Sequence, residues 1–122
     1  MGHTVGMTAE RDERPWGRYE VLLDEPDHKV KQIVVKAGKR LSYQVHSRRS
    51  EHWFVVRGTG VVTLNDAAIE VRAGSAVDVA QGASHRIENP GLDDLVFVEV
   101  QHGEYFGEDD IVRLEDDFGR AG

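Results

Sequence analysis

The chain has 122 residues, 15 basic against 22 acidic side chains, and no cysteine. That is the size of one domain, and it excludes a disulfide scaffold, a thiolate nucleophile, a zinc ribbon and an iron–sulfur cluster. A net charge of −7 argues against nucleic acid or an anionic membrane as partner, and apolar runs no longer than Leu95-Val96-Phe97-Val98 cannot span a bilayer. Residues 1–13 are polar and unpatterned and read as a flexible tail, with His3 a solvated terminal residue. No apolar signal-peptide core opens the chain, so a cytoplasmic protein is expected. Residues 14–122 are expected to form a single domain.

From Trp16 onward the chain reads as short β-runs: Trp16–Leu23, Lys29–Lys36, Leu41–His46, His52–Arg57, Val61–Leu64, Ile69–Arg72, Ala76–Val79, His85–Glu88 and Leu95–Gln101. They alternate or run β-branched, and turn residues such as Asp-Glu-Pro-Asp, Gly-Thr-Gly, Asn-Asp and Asn-Pro-Gly separate them. Nine short strands at near-regular spacing predict an all-β sandwich or barrel. Gly103–Gly122 changes character: seven acids and two arginines lie between Glu104 and Arg120. An acidic turn or short helical segment over the barrel is expected there.

Val35-Lys36-Ala37-Gly38 recurs as Val71-Arg72-Ala73-Gly74, and a histidine follows each copy, His46 or His85. The echo is either chance or the mark of two strand–turn–strand units that each deliver a histidine to one place. The second reading suits a jelly roll of two Greek keys. From Gly38 there are five residues to Gln44, one to His46, four to Glu51 and six to Gly58. From Gly74 there are five to Ala80, and Gly82, His85 and Asn89 follow. Alternate strand residues share a face, so Gln44 and His46 point together, Glu51 turns back beside them, and His85 arrives from the other half. Two imidazoles, a carboxylate and an amide oxygen suit one divalent ion, zinc, manganese, cobalt, nickel or iron, and are too nitrogen-rich for calcium.

These two glycine-framed sets resemble the motifs of the cupin superfamily, with Gln44 where many members have the first histidine and Ala80 in place of a proline. Arg14-Pro15-Trp16-Gly17, Arg49-Ser50-Glu51-His52-Trp53, His85-Arg86-Ile87-Glu88-Asn89-Pro90 and Gly103-Glu-Tyr-Phe-Gly-Glu-Asp-Asp-Ile-Val-Arg113 narrow the resemblance. They are similar to the type II mannose-6-phosphate isomerase (phosphomannose isomerase) domain, which usually forms the C-terminal part of bifunctional mannose-1-phosphate guanylyltransferase/mannose-6-phosphate isomerases. The resemblance runs from about Arg14 to Arg120 and implies a cupin-type double-stranded β-helix, a jelly-roll barrel with a short C-terminal acidic segment. Ser47 and Arg48 stand where the family often has further histidines. No nucleotidyltransferase half or Gly-rich phosphate loop is present, and Gly58-Thr59-Gly60 reads as a tight turn, so guanylyl transfer is not expected of these residues.

The activity implied is interconversion of mannose 6-phosphate and fructose 6-phosphate through an enediol. Such chemistry needs an electrophile on two oxygens, a base at the migrating proton and a phosphate anchor. The resemblance assigns the metal to Gln44, His46, Glu51 and His85. Cationic anchors for the phosphate are sought in Lys31, Arg49 and Arg86, with Arg113 behind them. Glu99, on the face of its strand shared with Phe97 and Gln101, is the candidate base, and His52 is the second catalytic candidate although alternation turns it away from Glu51. Trp16 and Trp53 read as packing rather than as sugar platforms, and the Glu108-Asp109-Asp110 run as a solvated face or a cap over the pocket through Arg113. A small-molecule sugar phosphate and a second copy of the chain, as a homodimer that covers strand edges, are the expected partners. Two other classes stay open: another small-molecule metal cupin enzyme, an oxygenase or epimerase, and a non-catalytic sugar-phosphate-binding module.

Overall fold

A computed structural model describes residues 11–107 and 109–117. Eleven strands make up the described secondary structure: β1 (Arg11–Arg14), β2 (Gly17–Asp24), β3 (His28–Val35), β4 (Tyr43–Val45), β5 (Arg49–Arg57), β6 (Thr59–Leu64), β7 (Ala67–Arg72), β8 (Ala76–Val79), β9 (His85–Glu88), β10 (Leu95–Gly103) and β11 (Val112–Glu115). Antiparallel pairing gives a six-stranded sheet, β1-β2-β3-β10-β5-β8, and a five-stranded sheet, β11-β4-β9-β6-β7. Among the described residues no helix is long and apolar enough to cross a membrane.

The nine expected strands all form, with ends shifted by a few residues. Two strands were not expected. Arg11–Arg14 pairs with Gly17–Glu20, so ordered structure begins before residue 14 and the tail boundary at 13 is corrected. Val112–Glu115 is a strand on β4, not a helix or turn. Both lie on sheet edges and are largely exposed. An edge strand wet on both faces needs no apolar alternation, and so leaves little pattern to read. His3 lies outside the described residues.

The repeated Val-x-Ala-Gly turns are real turns of like geometry: Gly38 and Gly74 both have positive φ, 76° and 92°. Each sits between a strand of one sheet and a strand of the other, and glycine adopts that conformation without a Cβ penalty. The stretch after the first turn ends in His46, and the loop and strand after the second carry His85.

Strict alternation sorts each strand's side chains into inward and outward sets. On β5, Arg49, Glu51, Trp53 and Val55 are buried, whereas His52, Phe54 and Val56 are exposed. On β10, Leu95, Phe97, Glu99 and Gln101 point in. Along three neighbouring strands the inward face changes from apolar to polar at one level, because register sets Phe97 opposite Ile33 and Val55 but Glu99 opposite Lys31 and Trp53. The interior therefore has a dry end, built on Val35, Val55, Ile87, Leu95 and Phe97, and a polar end that holds buried Lys31, Arg49, Glu51, His85, Glu99 and Gln101. Buried polar groups on that scale need mutual partners, and those partners make the site.

Candidate functional site

His46, Glu51 and His85 reach the polar end from the end of β4, from β5 and from β9, and their ligand atoms lie within 4.8 Å of one another. Both imidazoles are oriented from behind. His46 Nδ1–H donates to the Asp110 carbonyl at 2.7 Å, and His85 Nδ1–H donates to the Ala83 carbonyl at 3.0 Å. Each Nε2 is thereby left as a lone-pair atom, the arrangement that suits a metal-ligating histidine. Around His46 Nε2 stand Gln44 Oε1 at 3.1 Å and Glu51 Oε2 at 3.5 Å. Gln44 is steered by its own amide, whose Nε2 donates to Ser42 Oγ at 2.8 Å. Three acceptors gathered without a donor of their own repel one another unless a cation joins them.

One cation already meets two of them. Arg49 Nε donates to Glu51 Oε2 at 2.8 Å, and its Nη2 donates to His46 Nε2 at 3.1 Å. Trp53 Nε1–H holds the other Glu51 oxygen at 2.9 Å. The donor set Gln44, His46, Glu51 and His85 fits a divalent first-row ion, with two nitrogens, two oxygens and both histidine tautomers set. Its binding would require Arg49 to release His46 Nε2 and Glu51 Oε2.

Beside the cluster lies a cleft of about 100 Å³ bordered by Arg14, Lys31, Arg49 and Arg113, with Glu99 the one carboxyl group on it among the described residues. Lys31 Nζ rests 4.3 Å from the centre of the Tyr19 ring, and the buried Nε of Arg113 has no hydrogen-bond acceptor among the described residues. Four cationic groups on one small cleft suit an anion with several oxygens. A larger concavity of about 630 Å³, along β6 and β7, is bordered by Thr59, Glu70, Arg72 and Ser75 and has no histidine.

Glu99 is buried and accepts a hydrogen bond from Gln101 Nε2 at 2.7 Å. Burial, followed by the nearby Glu51 charge, pushes its carboxyl up to about 8. Burial, with the Arg49 charge behind it, holds His46 down to about 4, and burial lowers His85 as well. These shifts carry a sign for the chelator-treated protein. Below pH 6.5 unfolded His46 binds a proton that the folded imidazole refuses down to about 4, which lowers stability as pH falls. From 4.5 to about 8 the folded Glu99 keeps a proton that the unfolded chain has lost, which lowers stability as pH rises. The two effects oppose each other below 6.5, and Glu99 acts alone above it. Denaturant titrations should therefore find metal-free protein weaker at pH 8 than at 6.5 by about 2 kcal/mol, and Glu99→Gln should flatten that slope. A stability that climbs over the same interval would count against a protonated Glu99.

The other expected residues divide. Lys31 and Arg113 border the cleft, and Arg49 both borders it and enters the ligand cluster. Arg86 does not border that cleft: its Nε donates to the Leu41 carbonyl at 3.0 Å and its Nη1 to Glu115 at 2.9 Å, tying β11 to the sheet. Its buried Nη2, beside a small cavity shared with Gln44, Glu51, His85 and Glu99, has no acceptor among the described residues. His52 is a correction. It lies on the outer face of β5, paired with Asp78 at 2.6 Å, because one step along a strand reverses the side chain. Trp16 and Trp53 are core residues, yet Trp53 also fixes Glu51. That second role was legible, since Trp53 follows Glu51 by two on the same face. In the sequence Arg14 reads only as part of a motif, and Asp110 only as part of an acidic run; of that run Glu108 lies outside the described residues.

The family described as mannose-6-phosphate isomerase C-terminal matches residues 3–116. The chain belongs to that family. A mannose-1-phosphate guanylyltransferase of Klebsiella pneumoniae is 43% identical over 108 residues, 88% of this chain and 23% of its own length. The xanthan biosynthesis protein XanB of Xanthomonas campestris pv. campestris is 46% identical over 88% of this chain and 23% of its own, and the alginate biosynthesis protein AlgA of Pseudomonas aeruginosa 46% over 88% and 22%. The chain thus spans less than a quarter of the length of these relatives. Among solved structures, the capsular polysaccharide assembling protein CapF of Staphylococcus aureus aligns with a TM-score of 0.76 and 26% identity, covering 88% of this chain and 32% of that one. The Cnp3 cupin domain of Schizosaccharomyces pombe aligns at 0.68 with 16% identity, over 70% of this chain and 64% of that one, a likeness of fold alone. The all-β architecture is that of a cupin, as the glycine-framed motifs implied.

Proposed function

We propose that this mannose-6-phosphate isomerase-type cupin domain is a metal-dependent sugar-phosphate isomerase acting on mannose 6-phosphate and fructose 6-phosphate. One observation carries the reading: an acceptor cluster with preset histidine tautomers opens beside a cleft lined by four cationic side chains. The family match supports the substrate, and the names of the xanthan and alginate relatives support a role in polysaccharide precursor supply.

In this reading Gln44, His46, Glu51 and His85 would hold one divalent ion, which would supply electrophilic stabilisation of the negative charge that develops on substrate oxygen. Lys31 and Arg113, joined by Arg14, anchor the phosphate, and Arg49 bridges the anchor and the ligand cluster. Glu99 borders the same cleft; in its ionised form, which a cation on the neighbouring ligands would favour, it is the group to take the proton from C2 and return it to C1, while a second proton passes between O1 and O2. Trp53 keeps Glu51 oriented through its Nε1–H.

A second reading has its own support. Arg49 saturates the lone pairs of His46 and Glu51 that a metal would use, which favours a metal-free, sugar-phosphate-binding module. A coupled assay for mannose 6-phosphate turnover, with elemental analysis and a chelator arm, separates the two. The isomerase reading expects about one divalent ion per chain and turnover that the chelator abolishes. Protein that binds the sugar phosphate but takes up no metal and turns nothing over would establish the module instead.

A further inference from the structure

Among the described residues of the segment after β10, Asp110 is the one that bonds His46, and it grips the turn after His46 as well. The Asp110 carbonyl accepts the His46 Nδ1–H at 2.7 Å. The Asp110 carboxylate accepts from Ser47 Oγ at 2.8 Å, from the Ser47 main-chain N–H at 3.3 Å and from the Arg48 main-chain N–H at 2.9 Å. The two residues that follow His46 in the chain are thus gripped by the same residue that orients its ring. Grip and orientation form a closed loop: the clamped turn fixes the distance from His46 to the Asp110 backbone, and that backbone fixes the ring.

We infer that Asp110 is a positioning residue for the ligand cluster, holding His46 with Nδ1 protonated and Nε2 aimed at Gln44 and Glu51. The inference deepens the metal-binding reading above and rests on it for the affinity arm of its test. The two histidines are unequal in this respect. His85 takes its acceptor from Ala83, two residues away on its own chain segment, and needs no remote help. His46 depends on a residue 64 positions distant. The rest of the segment is secured separately, by Arg86 on Glu115, by a two-bond grip of Arg40 on Asp117 at 2.8 Å each, and by β11 on β4. Loss of the Asp110 carboxylate therefore loosens the clamp without releasing the strand. The same segment carries Ile111 and Arg113 to the cleft wall, so the clamp also ties that wall to the ligand His46.

Asp109, by contrast, bonds Tyr105 within the segment and touches neither histidine ring. It supplies the control. In chelator-treated full chain, long-range proton–nitrogen spectra should find His46 as a single Nδ1–H tautomer. Asp110→Ala should give a mixture at His46 and leave His85 unchanged. Cobalt(II) affinity, read by competition with a chromophoric chelator, should fall about 10- to 100-fold, the range for loss of an outer partner of a ligand. Asp110→Asn keeps one acceptor oxygen for the turn and should fall between wild type and alanine, and it serves if the alanine variant does not fold. Asp109→Ala should match wild type. The proposal is overturned if His46 keeps one tautomer and cobalt affinity stays within twofold in Asp110→Ala. It is equally overturned if His46 and His85 change together, which would mark general loosening. Wild type that binds no cobalt would sink the metal reading, while the tautomer comparison would still decide the role of Asp110.

Discussion

Replacing Glu51 by glutamine is expected to destabilise the metal-free protein by about 3 kcal/mol, because it leaves the Arg49 guanidinium buried without its counter-charge. Both side chains are almost wholly buried, 3% and 2% exposed, so water cannot take the place of the missing carboxylate. Glutamine preserves volume and can still accept from Trp53, which confines the change to charge. Part of the loss is recovered by Glu99: relieved of the Glu51 charge beside it, that carboxyl ionises more readily and compensates Arg49 in turn. A melting midpoint lower by about 10 °C is the corresponding thermal result. The double variant Glu51→Gln/Arg49→Met, which removes both charges, should be more stable than Glu51→Gln alone. Calorimetry that finds the single variant within a degree or two of wild type would mean the pair contributes nothing to the fold.

His85→Ala is expected to abolish stoichiometric metal binding and, with it, isomerase turnover. His85 is the ligand that comes from the second glycine-framed unit, and its ring packs 5.2 Å from that of His46 and edge-on to Trp53. Without it three donors remain, of which two already engage Arg49. Cobalt affinity should fall by more than the roughly 100-fold upper range for an outer partner such as Asp110. Turnover should fall by about 100- to 1000-fold or more, as for loss of a main stabiliser of developing oxyanion charge. Sugar-phosphate binding, measured by calorimetry, should persist, since Arg14, Lys31, Arg49 and Arg113 border the cationic cleft and His85 does not. Retention of metal in this variant would remove His85 from the ligand set.

Much of this site could be read before any coordinates. The pairing of Gln44 with His46, and of Arg49 with Glu51 and Trp53, follows from the two-residue period of a strand, and the same rule turned His52 outward. The Val-x-Ala-Gly echo pointed to two equivalent turns, and Gly38 and Gly74 do share one backbone conformation. Other features left no trace. Arg11–Arg14 and Val112–Glu115 became strands because a neighbouring strand completes their hydrogen bonds, and a wet edge asks nothing of the side chains. Arg86 shares the strand of His85 and was an equal candidate for the phosphate, yet Glu115 and the Leu41 carbonyl claim its Nη1 and Nε.

The −7 charge and the missing cysteine set the outer bounds: an acidic chain whose metal ligands can only be nitrogen and oxygen side chains or methionine. Within those bounds, local periodicity was enough to decide which face each side chain takes, since that depends only on neighbours one or two residues away. Which inward-facing residues meet was decided by cross-strand register and by the return of the C-terminal segment over β4. Arg49 therefore lies on the ligands as well as beside the cleft, and Asp110, from an acidic run that reads as solvated surface, reaches His46. Hydrogen bonds and ion pairs act over a few ångströms of space, and only the folded chain brings residues 46 and 110 that close.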